Sequence, residues 1–155
     1  MDKSKAVLVG LLLLLPLPAT TFARIGETPT QCEARYGKAV RTDKDTGLVT
    51  FLKSGFFIMV RFHQGKADSI AYSKEQRDMK MSDNEIETLL KANSGGEKWK
   101  KIGIISMKQQ WQTENGLLFA IFDTFDNMLL VFTKECFERE KAREKAKEDK
   151  KLDGF

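Results

Sequence analysis

Residues 56–73 read FFIMVRFHQGKADSIAYS, two mainly apolar runs on either side of a short polar segment. Every second residue from Phe56 to Phe62 is apolar, so these side chains share one face of an extended chain. Residues 63–66 have the composition of a tight turn, and residues 67–73 again place apolar side chains at alternate positions. The pattern predicts an antiparallel hairpin whose first strand is the most buried of this half of the chain.

A short helix and one more strand precede this hairpin. Thr28-Pro29-Thr30-Gln31 predicts a helix start, because threonine caps the first turn, proline suits its first position and glutamine completes a capping box. The helix is expected to end at Gly37. Residues 48–53 then alternate as a strand and reach the hairpin through a Ser54-Gly55 turn.

The second half of the chain contains segments of the same kinds. Ser82-Asp83-Asn84-Glu85 is a second capping box, and the helix that follows is expected to end near Ser94-Gly95-Gly96. A basic connector, 97–101, comes next. Three strands are predicted after it, separated by Asn115-Gly116 and Asp126-Asn127 turns: 104–112, 117–123 and 128–133.

These segments predict an α+β domain in which an antiparallel sheet has helices packed on one face. The half-units 25–74 and 82–134 each combine a capped helix with three strands. The chain is therefore either a tandem pseudo-repeat or a single meander that happens to use two helices. Residues 24–134 form one domain in both cases, and residues 135–155 continue as a charged C-terminal helix and tail.

The first 23 residues have the three zones of a secretory signal peptide. Lys3 and Lys5 precede an apolar run, and the small residues Thr21 and Ala23 stand where a signal peptidase expects them. The run is shorter than the ~20 residues that a membrane span needs, so we expect cleavage and no stable membrane anchor afterwards. The mature domain is then expected in the periplasm or outside the cell.

The charge balance gives no support for a nucleic-acid partner. The full chain has 26 Lys and Arg residues against 22 Asp and Glu, a net charge of +4. Removal of residues 1–23 takes away two lysines and one aspartate, which leaves a net charge of +3. Because both signs are mixed along the chain, no basic patch for nucleic acid is expected.

Cys32 and Cys136 are the two cysteines of the chain. A disulfide between them would persist outside the cytoplasm and would tie the first helix to the last. Such a bridge closes a loop of about a hundred residues and is worth at most roughly 4–5 kcal/mol. The alternative is two buried free thiols that pack as small apolar side chains. The sequence leaves both interpretations open.

Three segments resemble a known group of exported domains: Ile25-Gly26-Glu27-Thr28-Pro29, Tyr36-Gly37-Lys38-Ala39 and residues 62–70. They are similar to the β-lactamase-inhibitor-protein-like fold, a group that includes an outer-membrane assembly lipoprotein. The resemblance implies a helix followed by a hairpin, and the inhibitor itself is a tandem of two such units. This chain differs from the lipoprotein in that no lipidation cysteine follows the leader, and Ala39 replaces the usual proline.

No motif indicates catalysis, a cofactor or a metal ion. His63, the single histidine, lies in a predicted turn without partners for base or metal chemistry, and acidic Glu33 follows Cys32 where an activated thiolate needs positive charge. Asp123, Asp126 and Asn127 have oxygen ligands that suit calcium, but the same residue types are favoured in tight turns. We therefore predict no catalytic, cofactor-binding or metal-binding residue.

Trp99 is the residue that the sequence singles out as a partner contact. It lies among Lys98, Lys100 and Lys101, and an exposed indole among lysines can dock an acidic protein, a glycan or a membrane surface. The leading hypothesis is a non-enzymatic exported domain that binds an unidentified protein or envelope component through a sheet face or through this loop. A purely structural envelope protein is the alternative, and a hydrolase is favoured least.

Overall fold

The computed structural model describes residues 24–152, so the predicted signal peptide and residues 153–155 lie outside the described residues. This part of the chain forms three α-helices and eight β-strands. In chain order they are α1 (Pro29–Tyr36), β1 (Arg41–Thr42), β2 (Val49–Lys53), β3 (Phe56–His63), β4 (Lys66–Lys74), α2 (Asp83–Asn93), β5 (Trp99–Ile105), β6 (Lys108–Thr113), β7 (Leu118–Asp123), β8 (Met128–Thr133) and α3 (Lys134–Leu152). The predicted α+β class with an antiparallel sheet is confirmed.

All eight strands belong to one antiparallel sheet with the order β1-β2-β3-β4-β8-β7-β6-β5. The first four strands and the last four strands are two meanders, and each runs from an outer edge to the middle of the sheet. They meet where β4 pairs with β8, with Ile70 opposite Val131 and Tyr72 opposite Leu129. The two outer edges of the sheet are therefore β1 and β5.

One face of the sheet, which we call the helix-covered face, holds the core. Val60, Ile70, Val131 and Ala120 are successive cross-strand partners on β3, β4, β8 and β7, and all four are fully buried. Side chains of α1 and α2 complete the same cluster: Cys32, Tyr36, Ile86, Leu89 and Leu90. The alternation read from residues 56–73 therefore identified the buried face of the central hairpin.

Both predicted capping boxes are confirmed. The Thr28 hydroxyl accepts the Gln31 backbone N–H at 3.3 Å, and the Gln31 side chain accepts the Thr28 N–H at 2.8 Å. At the start of α2, Ser82 and Glu85 exchange the same pair of bonds at 3.3 and 2.9 Å. Each box satisfies two backbone donors that a helix start leaves without partners, so the two short helices begin at defined residues.

The third helix packs on the opposite side of the sheet, which we call the open face. Phe119 and Phe132 are cross-strand partners there, and the Phe137 ring of α3 stacks on both at centroid distances of 5.9 and 6.2 Å. Beyond residue 140 the helix is exposed as far as residue 151. No helix in residues 24–152 combines the length and apolar composition needed to cross a membrane.

The segment after α2 differs from the prediction. Residues 97–101 were expected to be a connector and residues 104–112 a single strand, but the chain forms β5, a two-residue turn and β6. The turn consists of Ser106 and Met107, both with positive φ (48° and 65°). Residue types that favour such φ values are Gly, Asn and Asp, so the sequence carried no turn signal at this point. Each half of the sheet therefore has four strands rather than three, because the two-residue β1 was also missed.

Candidate binding edge

Trp99 lies at the start of β5. The prediction that it lies in a loop was therefore wrong. Its indole N–H donates to the carbonyl oxygen of Leu90 on α2 at 2.7 Å, and its side chain is half-buried against the core. Because this hydrogen bond and the packing fix the ring, Trp99 joins β5 to α2. Its main role in this structure is to position the edge strand.

The lysines around Trp99 remain on the surface. Lys98 and Lys100 are exposed, and Lys100 approaches Glu114 only at 3.7 Å. The Lys101 ammonium donates to the Gln109 side chain at 2.7 Å and lies 5.6 Å from the centre of the Trp111 ring. Lys100 and Lys101 therefore place positive charge on the first half of β5, and Lys98 adds a charge just before the strand. Lys98 forms no ion pair with the described residues.

The second half of β5 exposes large apolar side chains. Ile102, Ile104 and Ile105 expose 53%, 65% and 62% of their surfaces, and Met107 in the following turn exposes 62%. Phe125, in the β7–β8 turn, is exposed by 84%. The two turns are in contact, because Thr124 donates its N–H and its hydroxyl to the Met107 carbonyl oxygen at 3.2 and 2.8 Å. We call Ile102, Ile104, Ile105, Met107 and Phe125 the apolar edge.

The two outer strands of the sheet differ in what they offer to a partner. β1 has only two residues, Arg41 and Thr42, which is a short and charged edge of the kind that resists further pairing. β5 has seven residues and ends in Gly103-Ile104-Ile105. A register shift between Lys101 and Gly103 interrupts its pairing with β6. The segment after this shift is the unprotected part of the edge.

A second apolar surface lies on the open face beside α3. A groove of about 380 Å³ separates the start of this helix from the sheet. Met59, Ala71 and Leu130 lie along the sheet side, and Phe137 forms part of the helix side. Met59, Ala71 and Leu130 are half-buried, whereas Phe137 is 46% exposed. The groove is therefore much less exposed than the apolar edge.

The two cysteines are free and buried, so the disulfide left open by the sequence is not formed in this structure. Cys32 belongs to the core of the helix-covered face, whereas Cys136 lines the groove on the open face. Burial and the neighbouring Glu27 carboxylate raise the pKa of Cys32 to about 12. A thiol with such a pKa stays protonated at neutral pH and is a poor nucleophile.

His63 is exposed in the β3–β4 hairpin.

In the β7–β8 turn, which the sequence suggested for calcium, the side-chain oxygen atoms of Asp123 and Asn127 form hydrogen bonds and an ion pair within the protein. One Asp123 carboxylate oxygen accepts the backbone N–H groups of Phe125 and Asp126 at 2.9 and 3.2 Å, and Lys108 pairs with the other at 3.0 Å. The Lys108 ammonium and these backbone donors lower the pKa of Asp123. Asn127 has φ of 52° and accepts the Met81 N–H at 2.9 Å. In residues 24–152, no group of three or more His, Cys, Asp or Glu side chains is close enough together to hold a metal ion.

No family model and no curated protein matches this chain. Among solved structures, a cysteine-rich secretory protein from Staphylococcus aureus is similar to it with a TM-score of 0.43 and 14% sequence identity. The match covers 73% of this chain and 46% of the other, so the chain spans less than half the length of that protein. A similarity at this level carries no argument about fold or function.

Proposed function

We propose that this chain is an exported, non-enzymatic binding module that accepts an extended segment of another protein beside β5. The apolar edge carries the proposal. Five of the nine large apolar side chains that are exposed among the described residues lie on β5, its turn and the adjoining β7–β8 turn. Exposed apolar side chains that cluster rather than scatter mark interaction sites on soluble proteins.

The edge geometry supports a strand as the bound element. An outer strand has a row of backbone N–H and C=O groups without partners, and an added strand satisfies them while its side chains meet those of the edge. Ile104 lies opposite Gln109 and Ile105 opposite Lys108, so the two isoleucines point to opposite faces of the sheet. An extended segment lying beside β5 contacts an isoleucine on each face with its alternate side chains.

The charge of the edge favours an acidic segment. Lys98, Lys100 and Lys101 precede the isoleucines, and the one ion pair that these lysines form among the described residues is the 3.7 Å contact of Lys100 with Glu114. A partner with apolar residues opposite Ile104 and Ile105 and carboxylates opposite the lysines matches both halves of the strand. Such complementarity contributes chiefly to the association rate and to the register of binding.

The backbone of the β5–β6 turn adds a second argument. Ser106 and Met107 both occupy the left-handed region, which costs free energy for residues other than glycine. Glycine and asparagine would avoid this cost, yet the turn has a large side chain that is 62% exposed. Strain of this kind is typical of segments that have a functional role. We infer that Met107 is placed there for contact with the partner.

We also propose that the two halves are a tandem repeat. Each consists of a capped helix followed by four antiparallel strands, and the sheet order is symmetrical about the β4–β8 pair. The resemblance to the β-lactamase-inhibitor-protein-like fold implies the same duplication. In this arrangement β1 and β5 are equivalent edges, so the contrast between them supports a functional specialisation of β5.

Site-specific photo-crosslinking tests the proposed function. A photoreactive phenylalanine analogue at position 104 should form one defined adduct with a protein of the exported fraction, and unlabelled protein should compete with it. The purified partner should then bind the Ile104→Lys variant at least about tenfold more weakly, as expected for the loss of one apolar anchor.

Val40→Lys is the matched control, because Val40 is 57% exposed beside the opposite edge of the sheet. Its affinity should stay within about twofold of the unmodified protein, as for most surface substitutions. Equal binding by the Ile104→Lys and Val40→Lys variants would refute the edge as the site. If adducts form only between two copies of this chain, the edge mediates self-association and does not bind another protein. Sedimentation would then detect the dimer.

A further inference from the structure

A cavity of about 230 Å³ lies between α1, α2 and the first half of the sheet, on the helix-covered face and away from the apolar edge. Three basic side chains line it, Arg24, Arg35 and Lys53, and no acidic side chain does. Glu27 pairs with Arg35 outside the cavity, which offsets one of the three charges. The cavity therefore has an excess of positive charge.

Two buried donors at this cavity have no hydrogen-bond partner among residues 24–152. The Tyr36 hydroxyl is one, in a residue that is only 5% exposed; the Tyr72 side chain is its polar neighbour, but the two do not meet hydrogen-bond geometry. The Arg24 Nε is the other. The Arg24 guanidinium lies over the Tyr36 ring, 5.7 Å from its centre, so both groups are at the same wall. Buried polar groups are nearly always hydrogen-bonded, and two orphans side by side therefore need an explanation.

The remainder of the wall is mainly apolar, with Ser54 and Tyr72 as its other polar residues. Phe56, Ile58 and Leu89 line the cavity from the sheet and from α2. Basic groups on one side and apolar groups on the other suit a ligand with a charged head and an apolar body. The volume restricts such a ligand to a few carbon atoms or one ring.

We propose that this cavity binds a small organic oxyanion, a carboxylate or phosphate attached to an apolar group. The oxyanion accepts hydrogen bonds from the Arg24 Nε and the Tyr36 hydroxyl, and the apolar group lies against Phe56 and Leu89. Arginine is well suited to this task because its planar donors match carboxylate and phosphate oxygens.

Calorimetric titration of the protein tests the proposal with four probes: benzoate, phenyl phosphate, inorganic phosphate and benzyl alcohol. We expect benzoate or phenyl phosphate to bind more tightly than inorganic phosphate, because only the organic anions fill the apolar part. The better of these two identifies the head group as carboxylate or phosphate. Benzyl alcohol has the same ring without the charge and should not bind.

Two variants locate the site. Arg24→Gln should lower the affinity for the organic anion about tenfold, because one charge-assisted hydrogen bond contributes roughly this factor. Tyr36→Phe should also weaken it, while leaving the free protein at least as stable in urea, because a hydroxyl without a partner contributes nothing to folding. Lys38→Gln removes an exposed charge that does not line the cavity, and it should bind like the unmodified protein.

Three results would overturn the proposal. The first is no detectable binding of either organic anion at millimolar concentration. The second is benzyl alcohol binding as tightly as benzoate, which would indicate a purely apolar cavity. The third is unchanged affinity in both Arg24→Gln and Tyr36→Phe, which would place the anion elsewhere on the surface.

Discussion

At the scale of single residues, the buried charge at the start of the domain has structural consequences that the sequence did not reveal. Glu27 is only 8% exposed, and the Arg35 guanidinium donates to both of its carboxylate oxygens. The sequence marked Glu27 only as part of a helix start. Its burial depends on how α1 returns over the β3–β4 hairpin, where the Glu27 carbonyl oxygen accepts the Ala67 N–H.

Replacing Glu27 with alanine should destabilise the protein by about 3 kcal/mol, because the substitution leaves the partly buried Arg35 without its counter-charge. Urea unfolding gives the free energy directly. Glu33→Ala, at an exposed position of the same helix, is the control and should change it by less than about 0.5 kcal/mol. Equal effects of the two substitutions would mean that the Glu27–Arg35 pair contributes nothing.

The stability of the protein should fall at alkaline pH because of the raised pKa values of Cys32 and Tyr36. The pKa of Cys32 rises from 9.0 to about 12 on folding, chiefly by burial, and burial also raises the pKa of Tyr36 above 10.0. A raised pKa means that the folded protein holds its proton where the unfolded chain releases it. The resulting stabilisation is complete below pH 9.0 and is lost progressively as pH rises towards about 12.

Urea unfolding across this pH window measures the loss. The midpoint should fall as pH rises above 9.0, and it should fall less steeply in Cys32→Ala, which lacks one of the two titrating groups. Below pH 9.0 the variant is expected to be less stable than the unmodified protein because of the cavity it leaves. The same slope in both proteins would exclude Cys32 as a contributor.

At the scale of secondary-structure elements, the sequence predicted the helix starts and turns that are specified by neighbouring residues. Both capping boxes and the Asn115-Gly116 hairpin are formed as expected, because the residues that specify them are adjacent in the chain. The β5–β6 hairpin was missed because Ser106 and Met107 have positive φ although neither is a residue type that favours it. Since the binding edge depends on this hairpin, the sequence indicated Trp99 and its lysines but not the isoleucines beside them.

Replacing Ser106 with asparagine and Met107 with glycine should relieve the strain of this turn. Asn-Gly is the preferred pair for a two-residue hairpin with positive φ at both positions, and the double variant should be more stable by about 1 kcal/mol. It should also bind the partner more weakly, because the exposed Met107 side chain is lost. Thermal unfolding and titration of the partner measure the two effects. A variant that gains no stability would show that the turn is not strained.

At the scale of the whole molecule, the position of each strand explains why one edge is available. Strands β4 and β8 join the two halves in the middle, so six of the eight strands have a neighbour on both sides. The sequence could not predict this order, because it depends on pairing between residues about 60 positions apart, such as Ile70 and Val131. The two remaining strands are β1, which is short, and β5, which is long and exposes isoleucines in its second half.

Hydrogen exchange on β5 tests strand addition itself. In the free protein, the outward N–H groups of this edge strand should exchange rapidly, since they have no partner in the sheet. Addition of the protein captured through position 104 should slow exchange in β5 and leave β1 unchanged. Protection confined to β1 or to the open face, or no protection at all, would contradict binding at the β5 edge.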